Sequence, residues 1–462
     1  MEFIYNLFQT LLGAGPVVLL PLIILVVGLV FGVKPAKAFR SGLTVGIGFA
    51  GIKLVINLLS GSLGPAAQAM VERWGFSLDA LDVGWGAIAA VTWASPIIPI
   101  LIFAILAINI IMLILKKTNT LDVDIWNYHH MAIVGVMTYF VTKNIFLGVG
   151  ASIAMAIVTF KLSDWSAGMV EDYFGLPGVS LPTVSALSSL IIAVPLNWIL
   201  DKIPGVNKLN FSLKDTKKYL GFFGEPMIMG LILGGVIGAL AGYSFTDLAN
   251  VAVNMAAVLV LIPKMTSLFM EGLMPISEGA KKFTKKKFKG RELYIGLDAA
   301  VVSGNPDVIT TSLIVIPLTI LLSVVLPGNR VLPFADLAVI PFRVAMIVAL
   351  TRGNLFKNIV IGLVTTAAIL LAGSATAPVL TELAGSVGID LSLAAGALIS
   401  SFAATSLTQS FIIFMVFTGN IAITLPLLIV GFGIIWFYMD VIKPKKELKN
   451  IENNDKLVES EI

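Results

Sequence analysis

Cysteine is absent from this chain and charge is scarce. Without a thiol it can form no disulfide, bind no metal through thiolate and perform no cysteinyl chemistry of its own. Its only histidines are His129 and His130, and no second group of histidines or acids stands at ligand spacing, so no metal site is expected. Asp, Glu, Lys and Arg make up 13% of 462 residues, against about 25% in an ordinary soluble domain. Hydrophobic residues reach 57%, with a mean hydropathy of +0.97. That balance excludes a soluble enzyme, a nucleic-acid binder and a disordered scaffold. Charge is missing altogether from residues 3 to 33, 83 to 115 and 391 to 439, each run at or beyond the roughly 20 residues that span a bilayer as helix. An outer-membrane barrel is excluded too, because its strands alternate apolar and polar residues over about ten positions. No Walker-type phosphate loop occurs, which removes an ATPase subunit. The N-terminus has neither a basic n-region nor a small-residue cleavage site, so its first apolar run is expected to remain as a span.

What the chain does contain is a faint internal repeat. At offsets of 210 to 212 residues, Gly15-Pro16 matches Glu225-Pro226, Gly84-Trp85-Gly86-Ala87 matches Gly296-Leu297-Asp298-Ala299, Asn144-Ile145-Phe146 matches Asn354-Leu355-Phe356, and Ala186-Leu187 matches Ala397-Leu398. Transporters often carry inverted halves of this kind. If the halves are inverted, only one loop of each equivalent pair should be basic. Lys34, Lys37 and Arg40 have as counterpart residues 244 to 250, which hold no Lys or Arg, and the basic stretch Lys281 to Arg291 faces a counterpart near Glu72 to Asp82 with one Arg and three acids. The net charge of +4 matters less than this distribution.

Placing the basic loops in the cytoplasm predicts spans near 14–33, 41–64, 98–115, 128–142 and 144–160, a second five near 226–243, 248–264, 308–325, 331–351 and 357–374, and a last near 421–440. The expected fold is therefore an all-α integral membrane protein of about eleven transmembrane helices. Its organisation would be one inverted repeat over 1–220, a second over 221–418, a last helix over 419–442 and a cytoplasmic tail over 443–462, with the N-terminus outside. Four apolar stretches, about 83–97, 174–200, 295–307 and 385–417, are read as re-entrant segments or hairpins. Non-helical backbone at membrane depth is tolerated only in protein or along a watery cavity, so a binding site is expected there. Ser303-Gly304-Asn305-Pro306-Asp307 offers Asn305 as N-cap, Pro at the first helical position and Asp in the first turn, and Leu181-Pro182-Thr183-Val184-Ser185 breaks its own apolar run.

An ionisable group inside hydrocarbon costs a few kcal/mol and needs a partner or a purpose. Asp298, at the entrance of a broken segment, is the leading candidate for chemistry, with helix capping or pairing to Lys as the alternative. His130 can donate or accept, which suits hydroxyl recognition, though packing would also account for it. Thr92, Trp93 and Ser95 resemble a stacking platform for a sugar beside two hydroxyls, while an interfacial belt position is the plainer reading. Lys53, mid-span, has Asn57 one turn later on the same face, and a structural salt bridge is its simplest use.

In these same stretches the chain resembles the membrane IIC component of the bacterial phosphoenolpyruvate-dependent phosphotransferase system, within the ascorbate–galactitol superfamily and nearest its galactitol branch. The resemblance runs over nearly the whole chain, through Gly46-Ile47-Gly48-Phe49, Gly64-Pro65-Ala66-Ala67, Asp82-Val83-Gly84-Trp85, Thr92-Trp93-Ala94-Ser95, Val123-Asp124-Ile125-Trp126-Asn127 and Lys202-Ile203-Pro204-Gly205-Val206-Asn207. The second half adds Phe223-Gly224-Glu225-Pro226, Ile295-Gly296-Leu297-Asp298, Pro327-Gly328-Asn329 and Gly353-Asn354-Leu355-Phe356. It implies a homodimer in the bacterial cell membrane, each subunit carrying a polyol across by an elevator motion of a core against a scaffold. It further implies a separate IIB protein that delivers phosphate from a phosphocysteine, and a separate IIA protein, with no cofactor on this chain. Lys281 to Arg291 would suit docking of that partner, or serve only as a topology signal. The resemblance places substrate contact on His130 and the Thr92 to Ser95 stretch, while Thr183, Ser185, Asn305 and Asn57 are candidate contacts by their position in the broken or polar segments. Asp298 would accept the proton of the attacking hydroxyl.

Two departures bear on the substrate. Where galactitol members typically read Pro-His-Gly-Thr-Ser, this chain reads Pro182-Thr183-Val184-Ser185, and Lys53 and Asn57 stand where that pattern has glycines. Another polyol or a sugar with a negative group remains open, as does an ion-coupled secondary transporter, which would share the repeat, the hairpins and a buried acid. A passive channel would need a continuous polar lining that these runs do not supply.

Overall fold

The computed structural model describes residues 16–74, 78–122, 124–206, 209, 225–287, 293–303, 305–389, 397–419 and 421–437. In the first half these form α1 (Pro16–Val30), α2 (Pro35–Trp74), β1 (Ala80–Asp82), α3 (Trp85–Trp93), α4 (Ile98–Ile114), β2 (Thr120–Leu121), α5 (Ile125–Thr142), α6 (Ile145–Phe174), β3 (Val179–Ser180), α7 (Val184–Leu187) and α8 (Leu190–Lys202). The second half forms α9 (Pro226–Ala241), α10 (Phe245–Lys287), β4 (Tyr294–Gly296), α11 (Ala300–Ser303), α12 (Pro306–Val325), β5 (Val331–Leu332), a 3₁₀ turn (Ala335–Val339), α13 (Ile340–Leu350), α14 (Leu355–Ser386), β6 (Leu398–Ser400), α15 (Thr408–Thr418) and α16 (Ile421–Phe437). The tail from 438, residues 288–291, the side chains of Lys53 and Asn57, and those of most of Lys281 to Lys287 lie outside the described residues.

Helices α1, α2, α9 and α10 pack mainly on one another. At 40 and 43 residues, α2 and α10 are each about 60 Å long. They run antiparallel, since Lys37 pairs with Glu278 at 3.1 Å near one end and Asn254 donates to the Ser62 hydroxyl at 2.9 Å farther along. Close approach of α9 to α10 follows from a glycine stripe. A Cβ on Gly230, Gly234 or Gly238 would lie 2.5, 2.7 or 3.1 Å from the Cα of Ala256, Ala252 or Leu248, so the backbones touch as small-xxx-small helix pairs do in lipid.

The remaining elements surround two three-stranded parallel sheets. One has the order β5-β1-β6 and the other β2-β4-β3. Ala80 aligns with Val331 and with Leu398, while Tyr294 aligns with Thr120 and Ile295 with Val179. Each sheet thus takes its central strand from one half of the chain and both flanking strands from the other. The strands are two or three residues long and mostly buried. Their pairing satisfies backbone groups that hydrocarbon cannot. Trp93, Tyr128, Phe160 and Phe334 are the largest side chains sealed in the core.

Several expected spans differ from the observed helices. Among the described residues, Ile145–Phe174, Val184–Lys202, Pro306–Val325 and Leu355–Ser386 are long and apolar enough to cross a membrane, and α3 and α4 make a fifth such unit bent by 102°. The bend falls at the 83–97 stretch read as re-entrant. Within 174–200, read as a re-entrant segment or hairpin, the chain passes through β3 and then α7, which continues into α8 with only a turn at Ser188-Ser189. The span expected over 331–351 becomes β5, the 3₁₀ turn and the 11-residue α13. Pro333 and Pro341 lack the N–H groups a continuous helix would use, and the Asp336 side chain is held by three hydrogen bonds across the core. Asn144 and Asn354 each cap a long helix, accepting from the N–H of Phe146 at 2.9 Å and of Lys357 at 3.0 Å.

Candidate functional site

Side chains beyond the carboxyl ends of parallel strands converge, and each sheet gathers a polar cluster there. After β2, β3 and β4 come Asp122, Thr183 and Asp298. Oδ1 of Asp298 accepts from the N–H of Ala300 at 2.7 Å, which places it at the start of the short α11. Its Oδ2 lies 3.4 Å from the Thr183 hydroxyl, which also lies 3.2 Å from Asn127 Oδ1 and accepts the N–H of Ala299 at 2.9 Å. Asn127 Nδ2 donates to Asp122 Oδ1 at 3.3 Å, and the hydroxyl of Tyr128 donates to the Asp122 carbonyl at 2.9 Å. Oδ2 of the fully buried Asp122 has no hydrogen-bond partner among the described residues. The cluster is rich in acceptors, and Thr183 can give its one proton to only one of two oxygens. A polyhydroxyl ligand would supply the missing donors.

The opposite sheet ends in Asp82, Asp336 and the turn from Ser401 onward. Asp82 accepts from four backbone N–H groups, those of Gly84 at 3.2 Å, Phe334 at 3.0 Å, Asp336 at 2.9 Å and Phe402 at 3.3 Å. Asp336 accepts from the N–H of Trp85 at 2.7 Å and of Ala403 at 2.9 Å and from the Ser401 hydroxyl at 2.8 Å. These two carboxylates tie three broken segments together. Beside them Arg343, 3% exposed, stacks on Phe402 with 4.7 Å from Cζ to the ring centre and donates through Nη2 to Thr366 at 2.9 Å. Ser185, Asp336, Arg343, Phe402 and Ala403 line a water-sized pocket of about 10 Å³.

Of the residues singled out in the sequence, Asp298 and Thr183 meet directly and Ser185 lies two positions on, in the second cluster. His130 is buried in the first turns of α5 and donates through Nε2 to the Ala403 carbonyl at 3.0 Å, so its Nδ1 is left as an acceptor. Thr92, Trp93 and Ser95 are buried at the end of α3, with the Thr92 hydroxyl donating to Ile88 at 2.7 Å. Asn305 caps α12, accepting from the N–H of Asp307 at 2.9 Å and of Val308 at 3.4 Å. Asn57 lies in α2, away from both clusters in sequence, and its side chain is outside the described residues. Asp82, Asp122, Asn127, Asp336 and Arg343 are not among the site candidates drawn from the sequence, although Asp336 and Arg343 are ionisable residues within an apolar stretch, the signal that singled out Asp298. A larger cleft of about 490 Å³ between α6, α8, α15 and α16 is lined by Trp165, Ile412, Met415 and Phe432 among other apolar side chains, so it offers little to a hydroxylated solute. Among the described residues no group of three His, Asp or Glu side chains is placed to hold a metal ion.

Buried carboxylates, hydroxyls and broken backbone inside an apolar helical body are the features of a solute carrier, and sequence comparison gives that carrier a family. The model of the EIIC-GAT family, described as the PTS system sugar-specific permease component, matches residues 10–396. The chain belongs to this family. It is 40% identical over 396 residues to the PTS system galactitol-specific EIIC component of Escherichia coli strain K12, covering 86% of this chain and 87% of that one, and equally to its counterpart in strain O157:H7. A putative permease IIC component of strain K12 is 40% identical over 378 residues, 82% of this chain and 86% of that one. As a permease component of the phosphotransferase system, the protein is an integral membrane transporter, which its long apolar helices fit.

Proposed function

We propose that this permease component carries a galactitol-like sugar alcohol across the cell membrane and presents it to a phosphorylated IIB protein on a separate chain, which is recharged by IIA. The observation that carries the reading is the contact of Asp298 with Thr183 where β3 and β4 end side by side in broken backbone. A hydroxyl of the bound polyol would attack phosphorus on the partner's phosphocysteine. The new O–P bond forms as the P–S bond breaks, the thiolate departs, and Asp298 takes the hydroxyl proton. Asp298 follows the basic Lys281 to Arg291 stretch, which supports a cytoplasmic side for this cluster.

The inverted repeat is part of the proposal. Its support is the reciprocal exchange of strands, together with the equivalent asparagine caps at Asn144 and Asn354. The bundle of α1, α2, α9 and α10 would be the scaffold and the two-sheet body the part that moves, in a homodimer of eleven-span subunits with external N-termini. Family resemblance supports the elevator motion and the dimer.

Membrane vesicles holding this chain, supplied with phosphorylated IIB and labelled galactitol, should form galactitol phosphate. Asp298→Asn should still bind galactitol while phosphorylation falls by about 10²- to 10⁴-fold, the usual worth of a general base. Phosphorylation by the variant at the wild-type rate would remove Asp298 from this role. Uptake of unmodified galactitol in cells lacking the general phosphotransferase proteins would favour the ion-coupled alternative.

A further inference from the structure

Among the described residues, Arg343 is the buried charged side chain with the most unpartnered atoms. Nε and Nη1 have no hydrogen-bond partner among the described residues, although the residue is 3% exposed and lines the pocket with Ser185, Asp336 and Phe402. Around the same turn the hydroxyl of Thr405 and Nδ1 of His130 are likewise unpartnered. Buried donors and acceptors left unmade cost far more than those exposed to water, and such groups concentrate where a ligand will supply the other half.

Charge decides which ligand. Asp336 lines the same pocket as Arg343, and Asp82 is bound to the backbone of Asp336 and Phe402 beside it, yet the oxygens of both are filled by backbone N–H groups or by Ser401. They balance its charge from a distance without occupying its N–H groups. Arg343 therefore lacks acceptors, not a counter-ion, and an added anion would meet two carboxylates already in place. Neutral hydroxyls match that need, and stacking on Phe402 fixes the plane of the guanidinium against them.

We propose that Arg343 is a specificity-determining residue that donates to hydroxyl oxygens of a neutral polyol, with Ser185 beside it, and that it disfavours sugar acids. This rests on the sugar-alcohol reading above and narrows it. A six-carbon polyol exceeds the water-sized pocket, so its binding would require the 401–407 turn to draw back from α13. Thr183 and Ser185, two residues apart, and Asn127 and His130, three apart, connect this donor-rich pocket to the acceptor-rich cluster at Asp298. One polyol chain would use both.

The test is binding of galactitol, of an analogue lacking one hydroxyl, and of galactonate to the purified full chain in lipid nanodiscs. Arg343→Lys keeps the charge and hence the balance with Asp82 and Asp336, and Arg343→Gln removes it. Folding of each is checked by thermal unfolding. Galactitol should bind Arg343→Lys about ten- to hundredfold more weakly than wild type. The penalty should largely disappear for the analogue lacking the contacted hydroxyl, a coupling that a purely structural role would not produce. Galactonate should bind wild type more weakly than galactitol. Unchanged galactitol affinity in a folded Arg343→Lys, an equal penalty for every deoxygenated analogue, or tighter binding of galactonate would each overturn the inference while leaving the transport reading intact. Failure of wild type to bind any hexitol would overturn both.

Discussion

Two aspartates, each where the central strand of one of the two sheets ends, illustrate how the same residue type serves different purposes. Asp82 accepts four backbone N–H groups from three segments, whereas Asp298 accepts one short N–H bond and keeps an oxygen 3.4 Å from a hydroxyl. Asp82→Ala would strand all four donors at about 1–3 kcal/mol for each left unmade, so the variant should fall by more than about 3 kcal/mol and give little folded protein in detergent. Asp298→Asn removes no backbone partner that an amide oxygen cannot replace, and its thermal midpoint should stay within a few degrees of wild type even as phosphoryl transfer is lost. A collapse of both variants would show that Asp298 is an anchor as well. Thr183 stands between these cases. Thr183→Val leaves the Ala299 N–H without its acceptor and should cost about 1–3 kcal/mol, while Thr183→Ser keeps the bond and should restore stability.

At the scale of elements, the glycine stripe of α9 sets how close α9 lies to α10. A Cβ on Gly234 would sit 2.6 Å from Cγ of Met255 and 2.7 Å from Cα of Ala252, too near for any branched side chain. Gly234→Leu should therefore force the helices apart at a cost of about 1–3 kcal/mol or more, and Gly235→Leu on the neighbouring face, where only Leu248 comes within 4 Å, should be mild. Thermal unfolding of the two variants side by side checks the difference. Of the helical features only the cap at Asn305 is read from the sequence; Asn144 and Asn354 enter there as a repeat match, and the spacing of four at Gly230, Gly234 and Gly238 is present in the chain but gains its meaning only once α10 is seen against it. Strands of two or three residues were not legible, since an alternating pattern needs a longer run to stand out from apolar helix. Hence the β5 to α13 stretch reads as one span in the sequence, and Asp336 and Arg343 with it. The cluster at Asp298 was half visible. Asp298 and Thr183 stand in recognisable breaks, but Asp122 and Asn127 reach them through strand pairing that no local pattern announces.

For the whole molecule, the reciprocal strand exchange has a consequence for assembly. In one sheet β2 and β3 flank β4 without touching each other, and in the other β5 and β6 flank β1. A first half alone would keep β2 and β3 but lack the strand between them, and would hold β1 with neither neighbour. Backbone groups so exposed at membrane depth cost several kcal/mol each, and the loss cannot be met by water in the bilayer. The Arg330–Asp79 ion pair, which joins the start of β5 to the start of β1, would be broken as well. Residues 1–220 and 221–462 produced separately should accordingly be sensitive to trypsin and run as aggregates on size exclusion. Produced together from one cell, with an affinity tag on one piece alone, they should copurify as a protease-resistant complex that binds galactitol, because nothing in the sheets requires a covalent link between the halves. A first half that is monodisperse and trypsin-resistant on its own would mean that its strands find partners within the half, and the exchange of central strands would then not be what holds the site together.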